Sequence, residues 1–256
     1  MRILFTICGR EGSKGFKNKN IKELRGVPLV YYTLAVIKGY MNKHPQDEVF
    51  TILNTDSKVL IDLVNKQNLV PVKYIKRRPE LAGDIVAKVD VIKDSFSSLN
   101  ESDIDIVIDL DITSPLRCVE DVESIILEYN KGVYDLVFSV VEARRSPYFN
   151  MVEKKPDGFY RKICESDYTA RQQAPKSYEM NASIYAYSPA FLKRAINKTI
   201  IDYNCGISIM PDYLVLDIDS EEDFEMMKYL HEFYCEHFTE LRDVYLNAKN
   251  LSKSNK

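Results

Sequence analysis

The residues of this chain that could do chemistry begin with a loop rich in glycine and in cationic side chains. It follows the compact apolar run of residues 2–8 and extends from Gly9 to Asn20. Glycine lets the backbone turn tightly and approach a ligand, and the exposed N–H groups of such a loop form an anion-binding nest. The glycines and cations are Gly9, Gly12, Gly15, Arg10, Lys14, Lys17 and Lys19. Together they predict a site for the phosphates of a nucleoside triphosphate.

The spacing within this loop excludes two familiar phosphate-binding fingerprints. A P-loop needs glycines five positions apart, but lysines occupy the positions five residues after Gly9 and Gly12. The GxGxxG pattern of dinucleotide-binding domains is also absent. A solvated basic loop is the alternative interpretation. The position directly after the first strand favours the phosphate site.

Two pairs of carboxylates stand at the ends of predicted strands. Asp109 and Asp111 end a central strand, and Asp217 and Asp219 end a later one. Residues two apart share one face of a strand, and carboxylate oxygens suit a hard cation such as Mg²⁺. For Asp109 and Asp111, the spacing fits cation binding and turn formation equally well. For the second pair we predict Mg²⁺ held on a nucleotide.

The elements that must position these residues alternate between strand and helix. The predicted strands are residues 2–8, 48–54, 71–75, 104–110 and 134–141, with helices from 28 onward and at 57–67, 84–99 and 120–129. This alternation predicts an α/β fold with a mostly parallel sheet and helices on both faces. Functional loops in such sheets lie at the carboxyl ends of the strands, so the loops after residues 8, 54, 76 and 110 are expected to line one crevice.

The second half of the chain departs from this alternation. Charged residues and prolines predict an inserted hairpin or arm, after which the sheet resumes at 182–187 and 213–218. Ser220 and Asp223 resemble a capping box that opens a long final helix. The predicted organisation is a core of residues 1–141 and 179–246, an inserted arm of residues 142–178 and a flexible tail of residues 247–256.

Composition excludes several classes of protein. The chain has 256 residues, 45% of them hydrophobic, and 35 Lys and Arg balance 38 Asp and Glu. This balance argues against a nucleic-acid or membrane-surface binder, and no apolar run approaches the ~20 residues that span a bilayer. The first apolar run is too short for a signal peptide and is expected to be a strand. Five scattered cysteines without a CxxC pair predict neither a disulfide framework nor a zinc site, and favour the cytoplasm.

Five motifs in order resemble those of the acylneuraminate cytidylyltransferase family, the CMP–sugar-acid synthetases. The matching segments are residues 9–20 (ARxGSKGxxxKN in the family), 78–84 (RPxELAxD), 111–117 (QPTSPLR), 171–185 (RQxxPxxYxxNGxxY) and 217–219 (DxD). An ordered set of this kind is far more specific than any one motif. The resemblance covers residues 1 to about 230.

The resemblance implies a Rossmann-like nucleotidyltransferase fold and a cytidylyltransferase reaction. The anomeric hydroxyl of a 2-keto sugar acid, a sialic acid-like nonulosonate, would attack the α-phosphate of CTP and release pyrophosphate. The implied cofactor is Mg²⁺, and the implied partners are CTP, the sugar acid and a second copy of the chain, which would dimerise through residues 142–178. Neither nucleic acid nor a membrane is an expected partner.

The resemblance also implies roles for individual residues. Arg10, Lys14 and Lys19 would neutralise the phosphates as catalytic residues, and Gly12, Ser13 and Gly15 would orient them. Asn20 and Arg78 would lie near the cytidine. The sugar would face Asp111, Arg171, Asn181 and Tyr185, and Mg²⁺ would bind Asp217 and Asp219.

Two departures from the family pattern concern the sugar side. Asp111 stands where the family has Gln, and an ionised Asp only accepts hydrogen bonds and repels an acidic sugar unless a cation intervenes. Two alternatives follow: the sugar differs from N-acetylneuraminate, or Asp111 joins the metal shell. Ala182 replaces a Gly and adds a methyl group near the sugar. Open alternatives are another acceptor of the Kdo, KDN or legionaminate type, a non-catalytic nucleotide-binding homologue, and a glycosyltransferase, against which the lysine-rich loop argues.

Overall fold

The first strand shows how the apolar sequence builds a two-sided sheet. The computed structural model describes residues 1–12, 15–83, 85–99 and 103–253. Strand β1 spans Arg2–Gly9, and its side chains alternate between two apolar layers. Ile3, Phe5 and Ile7 belong to a larger core on one face, and Leu4 belongs to a smaller core on the other. Because both faces are apolar, helices must cover both.

Within the described residues, seven strands form one sheet and two short hairpins stand beside it. The further strands are β2 (Glu23–Leu24), β3 (Val27–Pro28), β4 (Glu48–Thr55), β5 (Lys73–Lys76), β6 (Ile106–Leu110), β7 (Leu136–Glu142), β8 (Val152–Lys154), β9 (Tyr160–Lys162), β10 (Tyr178–Tyr187) and β11 (Cys205–Ile209). The sheet order is β11–β7–β10–β6–β1–β4–β5. Only β10 runs antiparallel to its neighbours, so the predicted mostly parallel sheet is confirmed.

Helices cover both faces of this sheet, as predicted. They are α1 (Leu29–Lys43), α2 (Lys58–Asn65), α3 (Lys88–Ser97), α4 (Val119–Tyr129), α5 (Pro189–Leu192), α6 (Glu221–His237) and α7 (Thr239–Lys253). Helices α1, α2, α4, α6 and α7 contribute to the larger core, and α3 and α5 to the smaller one. In the part of the chain that is described, no helix is both long and apolar enough to cross a bilayer.

The predicted strand at 213–218 is wrong. Residues Asp212–Leu214 form a 3₁₀ turn, and the segment that follows joins no sheet. Its apolar side chains, Leu214 and Ile218, are buried in the larger core, and the Ile218 amide donates to the Thr113 carbonyl at 3.1 Å. A short apolar run fits such a packed connection as well as a strand. The last strand of the sheet is β11, which pairs with β7.

The end of the chain also differs from expectation. The capping box is present, since Ser220 Oγ accepts from the Asp223 amide at 3.1 Å, but the single long helix breaks at Phe238 into α6 and α7. Residues 247–253 of the predicted flexible tail continue α7, and Ala248 and Leu251 are buried. They are ordered because this face of α7 packs against α1. The rest of the predicted tail, residues 254–256, lies outside the described residues.

The segment predicted as an inserted arm carries the β8–β9 hairpin. Strands β8 and β9 pair only with each other, and several of their neighbouring apolar side chains are exposed, including Phe159 and Tyr160. The arm therefore adds surface rather than core. The carboxyl ends of β1, β5 and β6 lie at one edge of the large sheet and position the site described next.

Candidate active site

A cavity of about 290 Å³ opens at the carboxyl edge of the sheet. Four separate segments line it: the glycine-rich loop, the stretch from β5 into α3, the residues after β6, and the 217–219 segment. The lining residues are Cys8, Arg10, Lys19, Asn20, Arg77, Leu81, Gly83, Val86, Lys88, Val91, Asp111, Thr113, Asp217 and Asp219. The predicted crevice is thus confirmed for the loops after β1, β5 and β6, while the residues that follow β4 do not reach it.

The glycine-rich loop brings two of its predicted cations into the cavity. Lys19 Nζ lies 2.8 Å from Asp219 Oδ1 and 3.1 Å from the Ile218 carbonyl. The Arg10 guanidinium donates to the Ala82 carbonyl at 3.4 Å. Asn20 is buried and donates to the Arg10 carbonyl at 3.1 Å, so it also shapes the loop. Both cations are therefore positioned over the cavity by contacts to the segments opposite.

Two glycines of this loop stand where a side chain would be unfavourable. Gly12 has a φ of 73°, in the left-handed region. At Gly15, a Cβ atom would stand 3.0 Å from the Asp219 carbonyl, closer than nearly all Cβ contacts, so a larger residue would press the 217–219 segment away from the loop. The predicted phosphate ligands Ser13 and Lys14 lie outside the described residues.

Lys88 lines the cavity and is paired with two carboxylates. Its ammonium lies 2.7 Å from Asp109 Oδ2 and 2.5 Å from Asp111 Oδ2. Burial disfavours the charged ammonium, but the two carboxylates outweigh it and raise the pKa of Lys88 well above its usual value. Burial likewise acts to raise the pKa of Asp111, yet Lys88 and the hydrogen bonds from Thr113 lower it to about 2. Lys88 and Asp111 are therefore both ionised at neutral pH.

The predicted metal ligands, Asp217 and Asp219, line the same cavity. Burial, together with the negative charge of Asp111, raises the pKa of Asp217 to about 6. Asp219 is more exposed and is paired with Lys19. Among the described residues, no three Asp, Glu, His or Cys side chains come together as a metal cage. Two carboxylates facing the glycine-rich loop are nevertheless the kind of donor that suits a hard cation with other ligands from a nucleotide and water.

The structure brings Arg77, rather than the predicted Arg78, into the cavity wall. Arg77 is buried and donates to both oxygens of Asn54, at 3.2 Å from Nε and 2.9 Å from Nη2. Arg78 points away, with its guanidinium bound to Asp94 at 3.0 Å and Glu80 at 3.2 Å. The cytidine-binding role of Arg78 stays a prediction without support from this geometry.

A second cavity, of about 410 Å³, adjoins the first at Lys88. It is mostly apolar, and Tyr185, one of the predicted sugar residues, lines it. Its lining residues are Ala87, Lys88, Val89, Asp90, Tyr185, Tyr187, Ile196, Lys198, Thr199 and Ile200. The Lys88 ammonium lies 5.6 Å from the centre of the Tyr185 ring, which suits a cation–π contact. Lys88 is thus common to both cavities.

Two other predicted sugar residues lie elsewhere. Asn181 is buried, accepts from Ser139 Oγ at 2.6 Å and donates to the Leu214 carbonyl at 3.3 Å, so it joins neighbouring segments of the core. Arg171 is on the arm, where it donates to the Ala143 carbonyl at 3.1 Å and lines a separate cavity of about 440 Å³. Of the four predicted sugar residues, Asp111 and Tyr185 line the two adjoining cavities, whereas Asn181 and Arg171 do not.

The methyl group of Ala182 does not line either cavity. The expectation that it reshapes the sugar pocket directly is therefore not supported. Ala182 instead has a φ of 53°, at the irregularity where the register of β10 against β7 shifts between Met180 and Tyr185. A glycine here would satisfy the backbone rather than make room for a ligand.

Comparison with known proteins identifies the family of this chain. The profile of the cytidylyltransferase family matches residues 4–250, almost the whole chain. The chain belongs to the cytidylyltransferase family. It is therefore a nucleotidyltransferase enzyme, and the family resemblance predicted from the five motifs is confirmed.

Three known proteins are similar to this cytidylyltransferase in sequence or in fold. Post-translational flagellin modification protein B of Campylobacter coli is 35% identical over 232 residues, which cover 89% of this chain and 94% of that protein. The CMP-N,N'-diacetyllegionaminic acid synthase of Campylobacter jejuni is 34% identical with the same coverage. The solved structure of CMP:2-keto-3-deoxy-manno-octonic acid synthetase complexed with CTP has a TM-score of 0.65 at 12% identity, covering 91% of this chain and 99% of that one. The last similarity shows a shared fold.

Sequence reasoning missed Lys88 and Arg77 in this cytidylyltransferase. Arg77 stands beside a motif arginine, and only the direction in which β5 ends decides which of the two faces the cavity. Lys88 begins α3 and is distant in sequence from the carboxylates that it contacts. No spacing rule joins them. The departure of Asp111 from the family pattern was the one available signal, because it required a cation nearby.

Proposed function

We propose that this cytidylyltransferase transfers CMP from CTP to the anomeric hydroxyl of a 2-keto sugar acid, a nonulosonate of the sialic or legionaminic type. The observation that carries the proposal is the pair of adjoining cavities. One is lined by the basic glycine-rich loop, the other is apolar with polar groups at its edges, and they meet at Lys88. The similarity to the Campylobacter jejuni synthase supports this class of acceptor.

The first cavity provides what a nucleoside triphosphate requires. Arg10 and Lys19 supply positive charge, and the N–H groups of a glycine-rich loop suit phosphate oxygens. Phosphoryl transfer depends on positioning and charge neutralisation more than on covalent protein chemistry. In the proposed reaction the anomeric oxygen forms a bond to the α-phosphorus as the bond to the bridging oxygen breaks. The hydroxyl proton passes to solvent, and pyrophosphate leaves with the electron pair of the broken bond.

The residues Asp217 and Asp219 would hold Mg²⁺ in this scheme. Bound Mg²⁺ neutralises charge on the phosphates. Asp217 faces the cavity near Asp111, and burial, together with the negative charge of Asp111, raises its pKa to about 6. A bound cation would favour its ionised form. Lys19 already pairs with Asp219, so the loop and the carboxylate segment form one connected wall for the ligand.

The reaction is tested by pyrophosphate release from CTP and Mg²⁺ with a panel of 2-keto sugar acids. The panel includes N-acetylneuraminate, N,N'-diacetyllegionaminate, Kdo and KDN, and ATP, GTP and UTP replace CTP as controls. We expect release with CTP and at least one nonulosonate, and a product that contains CMP and the sugar. Release with an eight-carbon acid alone would overturn the nonulosonate assignment, and no release with any acceptor would overturn the proposed reaction.

The assembly and cellular location are part of the same proposal. Exposed apolar side chains on the arm, with Phe159 68% and Tyr160 66% exposed, support a homodimer formed through residues 142–178. All five cysteines are free thiols, which supports a reducing compartment such as the cytoplasm.

A further inference from the structure

The wall between the two cavities contains a charged cluster that the motifs do not explain. Lys88 is held between Asp109, at 2.7 Å, and Asp111, at 2.5 Å. Asp109 lies on β6 with no exposed surface, and its second oxygen accepts from Thr6 Oγ1 at 2.7 Å. Asp111 accepts from both the amide and the hydroxyl of Thr113, at 3.2 and 3.0 Å. Every member is therefore fixed in place.

Stability alone does not account for this cluster. Taking an ammonium and two carboxylates out of water costs several kcal/mol per ion, and an apolar set of similar volume is often at least as stable. The central strand that carries Asp109 is otherwise apolar, with Ile106, Val107, Ile108 and Leu110 all buried. A carboxylate buried in such a strand indicates that the ammonium it pairs with, that of Lys88, has a functional role.

The position of Lys88 identifies that use. About a third of its side chain is exposed, and the exposed part faces the two cavities. An ammonium has three donors, and the two carboxylates occupy two of them. The third is available to a ligand where the nucleotide cavity meets the acceptor cavity, beside the Tyr185 ring.

The charge of the cluster restricts the group it can receive. One ammonium and two carboxylates leave a net charge of −1, and Asp217 stands nearby. A carboxylate of the acceptor would be repelled if it touched this group directly. A neutral substituent that both accepts and donates fits better, because Lys88 donates and Asp111 has lone pairs to accept. Hydroxyl and acylamino groups have this chemistry.

We propose that Lys88 and Asp111 form one recognition unit that binds a hydroxyl or acylamino substituent of the acceptor and so determines specificity, with Asp109 as the positioning residue for Lys88. This inference rests on the proposed function and deepens it. The family pattern has a glutamine at position 111, whose neutral amide both donates and accepts hydrogen bonds. In this chain the two functions are divided between the Lys88 ammonium, which donates, and the Asp111 carboxylate, which accepts.

The first variant of the test preserves the net charge of the cluster. In Lys88→Met/Asp109→Asn the net charge remains −1, and the asparagine oxygen can still accept from Thr6. Asp111→Asn leaves the buried Lys88–Asp109 pair intact and serves if the double variant does not fold. Lys93→Met is the matched control, because Lys93 is also on α3 but lines neither cavity. Folding is followed by circular dichroism and CTP binding by calorimetry without acceptor.

Acceptor KM and kcat are then measured for pairs of sugar acids that differ only by hydroxyl against acylamino at one carbon. We expect acceptor KM to rise by about tenfold or more and the preference within the pairs to change. The CTP titration reports separately any effect on the nucleotide cavity, which Lys88 and Asp111 also line. Lys93→Met is expected to behave as wild type. A folded variant with unchanged acceptor KM and preference would overturn the recognition unit. If wild-type protein turns over no acceptor, the proposed function itself fails, and this inference fails with it.

Discussion

Ala182 has a backbone conformation that few L-residues adopt. Its φ of 53° lies in the left-handed region, between the buried residues Asn181 and Ser183. The left-handed conformation costs an L-residue about 1–2 kcal/mol, and glycine avoids this cost. The family pattern, with glycine after the asparagine, is thus explained by the backbone rather than by contact with the sugar.

Ala182→Gly is expected to stabilise the protein. Relief of the strained φ outweighs the greater freedom of glycine in the unfolded chain, for a net gain of about 1 kcal/mol. In a protein of this size such a gain raises the Tm by about 2–4 °C. Thermal unfolding followed by circular dichroism measures the shift. Ala186→Gly, on the same strand with a buried methyl group and no positive φ, is the control and is expected to lower the Tm. A lower Tm for Ala182→Gly would contradict the strain argument.

Asp217 gives the second prediction at this scale. If it is a ligand of Mg²⁺, Asp217→Asn removes one negative oxygen from the cation, and the Mg²⁺ concentration for half-maximal activity should rise about tenfold or more. The change is measured by titrating Mg²⁺ at saturating CTP. Glu222→Gln removes an exposed carboxylate outside the cavity and should leave the titration unchanged. An unaltered Mg²⁺ requirement in Asp217→Asn would exclude the assigned role.

At the scale of elements, α6 packs against α1 and α7 through a buried histidine. The His231 ring makes edge contacts with Tyr32 of α1 at 5.1 Å and Tyr245 of α7 at 5.4 Å. Burial, with a smaller contribution from Arg25, lowers the pKa of His231 to about 4. The neutral imidazole is therefore the form that the folded protein accommodates.

This histidine predicts how stability depends on pH. The unfolded chain takes up the proton near pH 6.5 and the folded protein only near pH 4, so the unfolded state binds more protons between these values. The free energy of unfolding should be highest above pH 6.5 and fall by roughly 3 kcal/mol as the pH decreases toward 4. Urea unfolding at a series of pH values measures this slope. His231→Phe should flatten it, whereas the exposed His237→Gln should not. An equal slope in His231→Phe would assign the effect to other groups.

The elements themselves were largely predictable. Strands β1, β4, β6 and β7 came from compact apolar runs, and α1 from helical spacing after Pro28. The segment 213–218 was misassigned because a short apolar run does not distinguish a strand from a buried connection. The end of α7 was missed because Leu241, Val244, Ala248 and Leu251 form a stripe at helical spacing whose last members stand among polar residues. The stripe is visible once the packing of α7 against α1 is known.

At the scale of the whole molecule, the site is assembled from segments distant in sequence. The glycine-rich loop and the 217–219 segment were predictable because motifs mark them. Lys88 was not, because its partners come from β6 and no local pattern encodes an ion pair across the sheet edge. Buried charge clusters depend on tertiary placement, so the segments that carry motifs were easier to predict than the Lys88 cluster.

The arm carries the last prediction, on assembly. Phe159 and Tyr160 belong to or adjoin a hairpin that pairs with no other strand, and both side chains are more than 60% exposed. Exposed aromatic groups on a small projecting element are typical of a surface that a partner covers. We expect light scattering at micromolar concentration to give the mass of a dimer, and Phe159→Ser/Tyr160→Ser to give a monomer that remains folded. Tyr229→Ser, which removes an aromatic ring 75% exposed on α6, is the matched control and should remain dimeric. A monomeric wild-type protein, or a dimer that survives loss of both arm residues, would rule out the arm as the interface.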